Sequence, residues 1–198
     1  MVDNGIPGVL ITSPVTTEAK ITRLIALHQR AKNLIAVVDN PLTVDTIEAA
    51  YKAAGNRNRL ALLVDFDVGL HRTGTKNIPM ARELARLISN STHLRFMGVQ
   101  AYAGHLQHIQ SFDKRLKEME SQAERIQELI FDPQADGLGP NIVTGGGTGL
   151  GKSISKYFLE LGAKVIITSR KEDVLISAKK ELEESTGGSI HYVPGDVR

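Results

Sequence analysis

The part of the sequence with the clearest chemistry is a glycine-rich segment that follows a short apolar run. Glycine stands at five of the seven positions from 145 to 151. Glycines leave backbone N–H groups unshielded, and at the start of a helix these groups and the helix dipole together attract an anion. The segment therefore predicts a phosphate-binding loop. Its predicted contacts are Thr144, Gly145, Gly146, Gly147, Thr148, Gly149 and Gly151.

Two nucleotide-binding patterns fit this segment. Gly146-x-x-x-x-Gly151-Lys152-Ser153 matches the P-loop, in which the lysine reaches phosphates and the serine binds magnesium. A P-loop enzyme also needs an acidic residue at a strand end, and here Asp65-Phe-Asp67 lies upstream of the loop, in the less usual order. The second pattern, Thr144-Gly145-x-x-x-Gly149-x-Gly151, is the one that the residues after the loop favour.

Residues 141–198 resemble the opening β-α-β-α-β segment of the short-chain dehydrogenases/reductases, and among them the 2,4-dienoyl-CoA reductases. The resemblance implies a cofactor with a 2′-phosphate, NADP, because Arg170 stands where an acidic residue would bind the ribose of NAD. It also implies that Asp196 lies beside the adenine. The family's catalytic Tyr-x-x-x-Lys pair has no match, since none of the four tyrosines is followed by lysine at that spacing.

Residues 5–148 resemble a different family, the pyridoxal-phosphate-dependent barrel enzymes of the D-threonine aldolase and D-serine dehydratase type, which are similar to alanine racemase. Three segments carry this likeness in the expected order: LVDFDVGLHRTG at 63–74, GVQAYAGHLQH at 98–108 and VTGGGTG at 143–149. The resemblance implies that Arg72 faces the pyridine nitrogen and that Tyr102 and His105 line the cofactor. The glycine loop would hold the cofactor's phosphate.

The catalytic set of this second family is also incomplete. Its chemistry needs a Schiff-base lysine at the carboxyl end of a barrel strand, and no predicted strand in residues 5–148 contains one. In the family that lysine precedes the part matched here, and the metal ligands lie in a C-terminal domain. We therefore assign no catalytic residue and no metal ligand, and expect cofactor binding without turnover, with NADP preferred and pyridoxal phosphate second. The alternatives are an NADP-dependent short-chain oxidoreductase and a pyridoxal-phosphate-dependent D-amino-acid aldolase or dehydratase.

Seven short apolar runs alternate with stretches of helical spacing. We predict that each run is a strand buried on both faces. The predicted strands are residues 9–12, 34–39, 60–67, 97–103, 141–144, 164–169 and 190–193. The predicted helices lie near residues 16–31, 41–54, 78–90, 112–131, 149–161 and 172–185.

This alternation predicts right-handed βαβ units and a parallel sheet. We expect one α/β domain over residues 1–198, built from a partial barrel segment (1–148) and a Rossmann segment (141–198). If the seven strands lie in consecutive order with their helices on one side, the bare face should curl into a hybrid TIM-barrel-like domain or pair with a second copy as a homodimer. An open Rossmann-like parallel sheet is the alternative.

The overlap of the two resemblances and the composition set further expectations. Both families contain the strand and TGGGTG segment at 144–149, as a natural recombination, a gene-model error or a designed chimera would produce. The net charge is only +2 and no basic cluster alternates with aromatic residues, which argues against nucleic acid. Without a signal peptide or an apolar run of ~20 residues, the chain is expected to be cytoplasmic and away from membranes.

Overall fold

The computed structural model describes residues 2–6, 8–31, 33–56, 58–130, 142–144, 150–160, 162 and 164–195. Short strands and helices alternate through these ranges, as the sequence predicts. The strands are β1 (Gly8–Ile11), β2 (Asn33–Val38), β3 (Leu60–Asp65), β4 (Leu94–Gln100), β5 (Ile142–Thr144), β6 (Val165–Ser169) and β7 (Ile190–Pro194). The α-helices are α1 (Glu18–Arg30), α2 (Pro41–Ala53), α3 (Ile78–Asn90), α4 (Phe112–Ile130), α5 (Leu150–Glu160) and α6 (Glu172–Thr186).

Two helices begin where the sequence predicts because their first residues satisfy the exposed N–H groups of the first turn. The Asn40 side chain accepts a hydrogen bond from the N–H of Leu42 at the start of α2. The Asn77 side chain accepts one from the N–H of Met80 at the start of α3. Each helix also has proline in its first two positions, where a missing N–H costs nothing.

Five strands form a sheet in the order β1-β2-β3-β4-β5. The pairs β1–β2, β2–β3 and β3–β4 are all parallel, and the third has a register shift between Leu62 and Leu63. Consecutive parallel strands joined by helices are the arrangement of an α/β barrel. The predicted α/β fold class is therefore confirmed.

The predicted single sheet of seven strands is wrong for the residues that the structure describes. There, β6 and β7 form a parallel sheet of their own. The preceding strand, β5, covers only three described residues, so it offers few backbone groups to a neighbouring strand. The order of the strands along the chain is as expected, and the continuity of the sheet is not.

The chain divides into two compact units. The first comprises Met1–Asp67, His71–Gln100 and Leu129–Pro140, and the second comprises Val68–Leu70, Ala101–Glu128 and Asn141–Arg198. The division falls at the ends of β3 and β4, within the segment that resembles the barrel enzymes. It does not coincide with the overlap of the two resemblances.

The core of the first unit surrounds β3. All six residues of this strand are buried, which agrees with the predicted burial on both faces. Apolar side chains from three helices complete the core, including Ile21 and Leu24 of α1, Ile47 of α2, and Leu84 and Ile88 of α3. Strands of a parallel sheet are typically covered in this way, and they are therefore almost wholly apolar.

The strands of the second sheet are buried on one face only, so the predicted burial on both faces is wrong for β6 and β7. Val165 and Ile167 are buried, whereas Ile166 between them is 58% exposed. Val193 of β7 is 56% exposed. Helix α6 contacts both strands and contributes buried apolar residues on one side. No element within the described ranges buries Ile166 or Val193 on the other side.

None of the helices in the described ranges is both long enough and apolar enough to cross a lipid bilayer.

Candidate functional site

The carboxyl ends of three strands, β1, β3 and β4, meet at a buried polar cluster in the first unit. Asp65, the last residue of β3, is only 3% exposed. The Gln100 amide at the end of β4 donates to Asp65 Oδ1 and to the Thr12 carbonyl after β1, both at 3.0 Å. The Thr73 hydroxyl donates to Asp65 Oδ2 at 2.7 Å. In α/β barrels this edge of the sheet carries the active site.

The Asp65 carboxyl lies in an environment that favours its neutral form. Burial is the largest effect and raises the pKa of Asp65, and the nearby Asp39 carboxylate adds to it. Hydrogen bonds from Thr73 and Gln100 and the positive charge of Arg72 act in the opposite direction. Both carboxyl oxygens have hydrogen-bond donors, so the group is satisfied despite its burial.

The turn that carries Arg72 is tied down at both ends. The Thr75 N–H donates to the Asp65 carbonyl at 2.8 Å, and the Asp67 N–H donates to the Thr75 carbonyl at 3.0 Å. The Gly74 N–H donates to the Asp39 carboxylate at 3.1 Å. Arg72 itself is exposed. Its predicted contact with a pyridine nitrogen stays a prediction.

An aspartate–histidine pair on the same turn was not predicted from the sequence. The Asp67 carboxylate accepts the His71 backbone N–H at 3.0 Å and contacts ring atom Nδ1 at 2.8 Å. His71 has a left-handed backbone with φ of 54°, which is uncommon for a residue other than glycine. The two contacts from Asp67 hold this unfavourable conformation in place.

The second unit brings two predicted cofactor residues next to the strand that leads into the glycine loop. The Ala101 N–H donates to the Thr144 carbonyl at the end of β5, at 2.9 Å. Tyr102 follows directly and is 40% exposed. His105 lies in the 3-10 helix Gly104–His108 that comes next. Thr144 is thus placed beside the segment that carries Tyr102 and His105.

Glycines determine the space available to these two rings. A Cβ atom at Gly104 would lie 2.5 Å from Cε1 of Tyr102. A Cβ atom at Gly69 would lie 3.0 Å from Nε2 of His105. Atom Nδ1 of His105 is buried and has no hydrogen-bond partner among the described residues.

Gln122 of α4 lies on the same side of Gly69 as His105. It was also not predicted from the sequence. It is 7% exposed, and its amide donates to Glu118 Oε1 at 2.6 Å and accepts from Arg125 at 2.9 Å. Its position could have been noticed, because it stands between Met119 and Ala123 on the apolar side of the predicted helix. A polar residue in such a stripe indicates a buried hydrogen-bond network.

The remaining predicted residues fall into two groups. Gly145, Gly146, Gly147, Thr148, Gly149 and Asp196 lie outside the described residues. Gly151 lies in the first turn of α5, and Arg170 is exposed immediately after β6. Lys152 forms an ion pair with Glu181 of α6, which does not favour the P-loop interpretation because that lysine should reach a phosphate.

Two families match overlapping parts of the chain. The family described as "Alanine racemase, N-terminal domain" matches residues 9–150, and the family described as "short chain dehydrogenase" matches residues 141–198. A 3-hydroxy-D-aspartate aldolase from Paracoccus denitrificans (strain Pd 1222) is 33% identical over 145 residues, which are 73% of this chain and 37% of that protein. A probable 2,4-dienoyl-CoA reductase 3 from Caenorhabditis elegans is 47% identical over 57 residues, which are 29% of this chain and 18% of that protein.

The fold agrees with a solved relative of the first kind. The crystal structure of D-threonine aldolase from Filomicrobium marinum superimposes with a TM-score of 0.70 at 31% identity, over 75% of this chain and 40% of that one. The chain thus spans well under half of the length of the relatives that it matches. Because the first family match, over residues 9–150, includes most of the chain, the chain belongs to the alanine racemase N-terminal domain family, with a further similarity to short-chain dehydrogenases over residues 141–198.

Proposed function

We propose that the protein binds a phosphorylated cofactor in its second unit, and that this cofactor is pyridoxal phosphate. The observation that carries the proposal is the hydrogen bond from the Ala101 N–H to the Thr144 carbonyl. It places the segment with Tyr102 and His105 beside the strand that runs into the glycine-rich sequence at 145–149. A planar ring and a phosphate group on one ligand could be bound by neighbouring parts of the chain.

The side chains of the segment that follows Ala101 suit a flat aromatic ligand. Tyr102 is partly exposed. The residue next to its ring at position 104 is glycine, so no side chain at that position collides with the ring. His105 provides a second flat ring, with a buried nitrogen that has no partner within the described residues. Aromatic pairs in offset or edge-to-face contact gain about 0.5–1.5 kcal/mol beyond their burial.

The proposed roles of this chain's residues are binding and orientation. Thr144 and the glycine sequence after it would hold the phosphate through backbone N–H groups. Tyr102 and His105 would set the plane of the ring. When bound, pyridoxal phosphate supplies an electron sink for amino-acid chemistry, and the aldolases named above suggest D-3-hydroxyamino acids as the ligands to test next.

Calorimetric titration of the full chain tests the proposal. We expect pyridoxal phosphate to bind, pyridoxal without phosphate to bind at least about tenfold more weakly, and inorganic phosphate to compete, since the phosphate contacts supply much of the affinity. Tyr102→Ala should weaken binding by about two- to tenfold. Tyr192→Ala, which removes the same ring from β7, is the control and should leave binding unchanged. Absence of binding at millimolar cofactor would rule the proposal out.

NADP is the second candidate, and Arg170 is the observation that favours it. Its guanidinium is exposed directly after β6, where a 2′-phosphate could accept two hydrogen bonds. We rank it after pyridoxal phosphate because the short-chain dehydrogenase match is limited to residues 141–198, whereas the alanine racemase match extends over residues 9–150. NADPH should bind more tightly than NADH if this candidate holds, and Arg170→Ala should abolish that preference. Equal binding of both nucleotides would exclude a role for Arg170.

We also infer that the chain is a chimera of the two families. The family matches share residues 141–150, which include β5 and the first residue of α5. A junction there would keep the strand and the glycine sequence that both families contain. Sequencing of the transcript across codons 141–150 tests this inference, and two separate transcripts with no joined product would contradict it.

A further inference from the structure

We propose that Gly69 is a positioning residue for His105, so that the absence of a side chain at position 69 sets where the imidazole lies. The inference rests on the proposed pyridoxal phosphate site, because His105 is one of the two rings assigned to the cofactor. Gly69 and His105 are 36 positions apart in sequence and meet within the second unit.

The contact between the two residues is close. A Cβ atom on Gly69 would lie 3.0 Å from Nε2 and 3.2 Å from Cε1 of the imidazole. These distances are shorter than the carbon contacts of about 3.5–4.0 Å that side chains normally make. The imidazole edge therefore occupies the space that a side chain at position 69 would need.

A hydrogen bond that could orient the His105 imidazole is missing among the described residues. Its Nδ1 atom is buried and has no hydrogen-bond partner among the described residues. The backbone of the 3-10 helix is held, because Leu106 is fully buried and its N–H donates to the Ala103 carbonyl at 3.2 Å. With the backbone held and Nδ1 unpaired, packing against Gly69 is the contact that determines the orientation of the imidazole.

The neighbouring Gln122 limits where a displaced ring could move. Its Nε2 would lie 3.8 Å from a Cβ atom on Gly69, so Gln122 and the imidazole both lie next to the space that this Cβ atom would occupy. The Gln122 amide is held by Glu118 and Arg125 on its own helix. A methyl group at position 69 should therefore move the imidazole and leave Gln122 in place.

Gly69→Ala tests the proposal, with Gly55→Ala as its control. Both glycines have positive φ, 113° at Gly69 and 61° at Gly55, so alanine strains the backbone at each, and more at Gly69, whose φ lies outside the left-handed helical range. No atom lies within 4 Å of a Cβ at Gly55 other than those of its chain neighbours, so that variant shows what a positive-φ alanine does without a side-chain contact. Two-dimensional NMR of the histidine rings reports changes in the surroundings of the His105 ring, and calorimetry measures the affinity for pyridoxal phosphate.

We expect Gly69→Ala to shift the His105 ring signals and to weaken pyridoxal phosphate binding by about fivefold, the scale of one aromatic contact. Gly55→Ala should change neither. In a His105→Ala background, Gly69→Ala should cause no further loss of affinity, because the two residues act through one contact. Unshifted ring signals in Gly69→Ala, or full additivity of the two substitutions, would overturn the proposal.

The experiment also separates this proposal from the one on which it rests. If the wild-type chain does not bind pyridoxal phosphate, the cofactor proposal fails, and the ring signals still decide whether Gly69 positions His105. If Gly69→Ala alone does not fold, the double variant with His105→Ala decides the question. Recovery of folding in the double variant supports the contact. If the double variant is also unfolded, the nuclear Overhauser effect between the Gly69 Hα protons and the His105 ring in the wild-type chain decides, and its absence overturns the proposal.

Discussion

Strands β3 and β6 are both rich in aliphatic residues and have very different surroundings. The sequence of β3 is LALLVD, and that of β6 is VIITS. Every residue of β3 is buried, whereas β6 alternates and leaves Ile166 58% exposed. The aliphatic composition of a segment therefore predicts that the segment forms a strand. The elements that pack against the strand determine whether one of its faces or both are buried.

The largest effect should come from truncating a side chain in β3. Leu62 is fully buried, so Leu62→Ala should destabilise the protein by about 2–5 kcal/mol through lost burial and the cavity left behind. Urea unfolding measures the free energy. A loss similar to that of a surface substitution would mean that β3 is less enclosed than the structure shows.

The polar end of β3 should respond strongly as well. Gln100→Ala removes the donor that joins Asp65 to Thr12 and should cost about 1–3 kcal/mol, because a buried carboxyl loses one of its partners. Gln110→Ala, an exposed glutamine just after the 3-10 helix, is the control and should have little effect. Urea unfolding of both variants makes the comparison, and equal stabilities would contradict the assigned network.

The protonation of Asp65 should give the first unit a distinct pH dependence. Because burial raises the pKa of Asp65 above its ordinary value of 3.8, the folded chain holds this proton more tightly than the unfolded chain. The resulting stability is fully present below that ordinary value and is lost as pH rises through the folded-state pKa.

Asp65→Asn removes this contribution. As pH rises from 4, the wild type should therefore lose stability relative to the variant. Urea unfolding at several pH values measures it. The exposed Glu120→Gln substitution in α4 is the control and should show no such trend. A difference that stays constant with pH would contradict the assigned environment of Asp65.

The smallest effect is expected at the exposed face of β6. Ile166→Thr should change stability by no more than about 0.5 kcal/mol, since the side chain is largely exposed. The same substitution at the next residue, Ile167→Thr, should be far more costly because Ile167 is 3% exposed. If Ile166→Thr is equally costly, another surface covers this face, and sedimentation would then test the predicted homodimer.

The bounds of several elements could be predicted because local signals define them. Helix α3 begins and ends at the predicted residues 78 and 90, after the capping side chain of Asn77. By contrast, β4 begins three residues earlier than the predicted run at 97–103. The apolar run alone did not show where its pairing with β3 starts, since register depends on the partner strand.

The sequence allowed the candidate site residues to be named, and it did not show their contacts. The resemblance named Arg72, Tyr102 and His105, and in the structure the segment with the last two follows Ala101, whose N–H donates to the Thr144 carbonyl. The aspartate–histidine pair of Asp67 and His71 depends on a left-handed backbone that no sequence pattern signalled. This contact depends on the local conformation of one turn, which periodicity and composition do not encode.

The central claim is that the second unit binds a phosphorylated cofactor beside the end of β5, and NMR mapping of the full chain tests it most directly. On titration with pyridoxal phosphate, we predict that the amide signals of Thr144, Ala101 and Tyr102 and the ring signals of His105 shift together. Signals from β7, such as those of Tyr192, should stay in place. Shifts confined to other parts of the chain, or no shifts at millimolar cofactor, would contradict the claim.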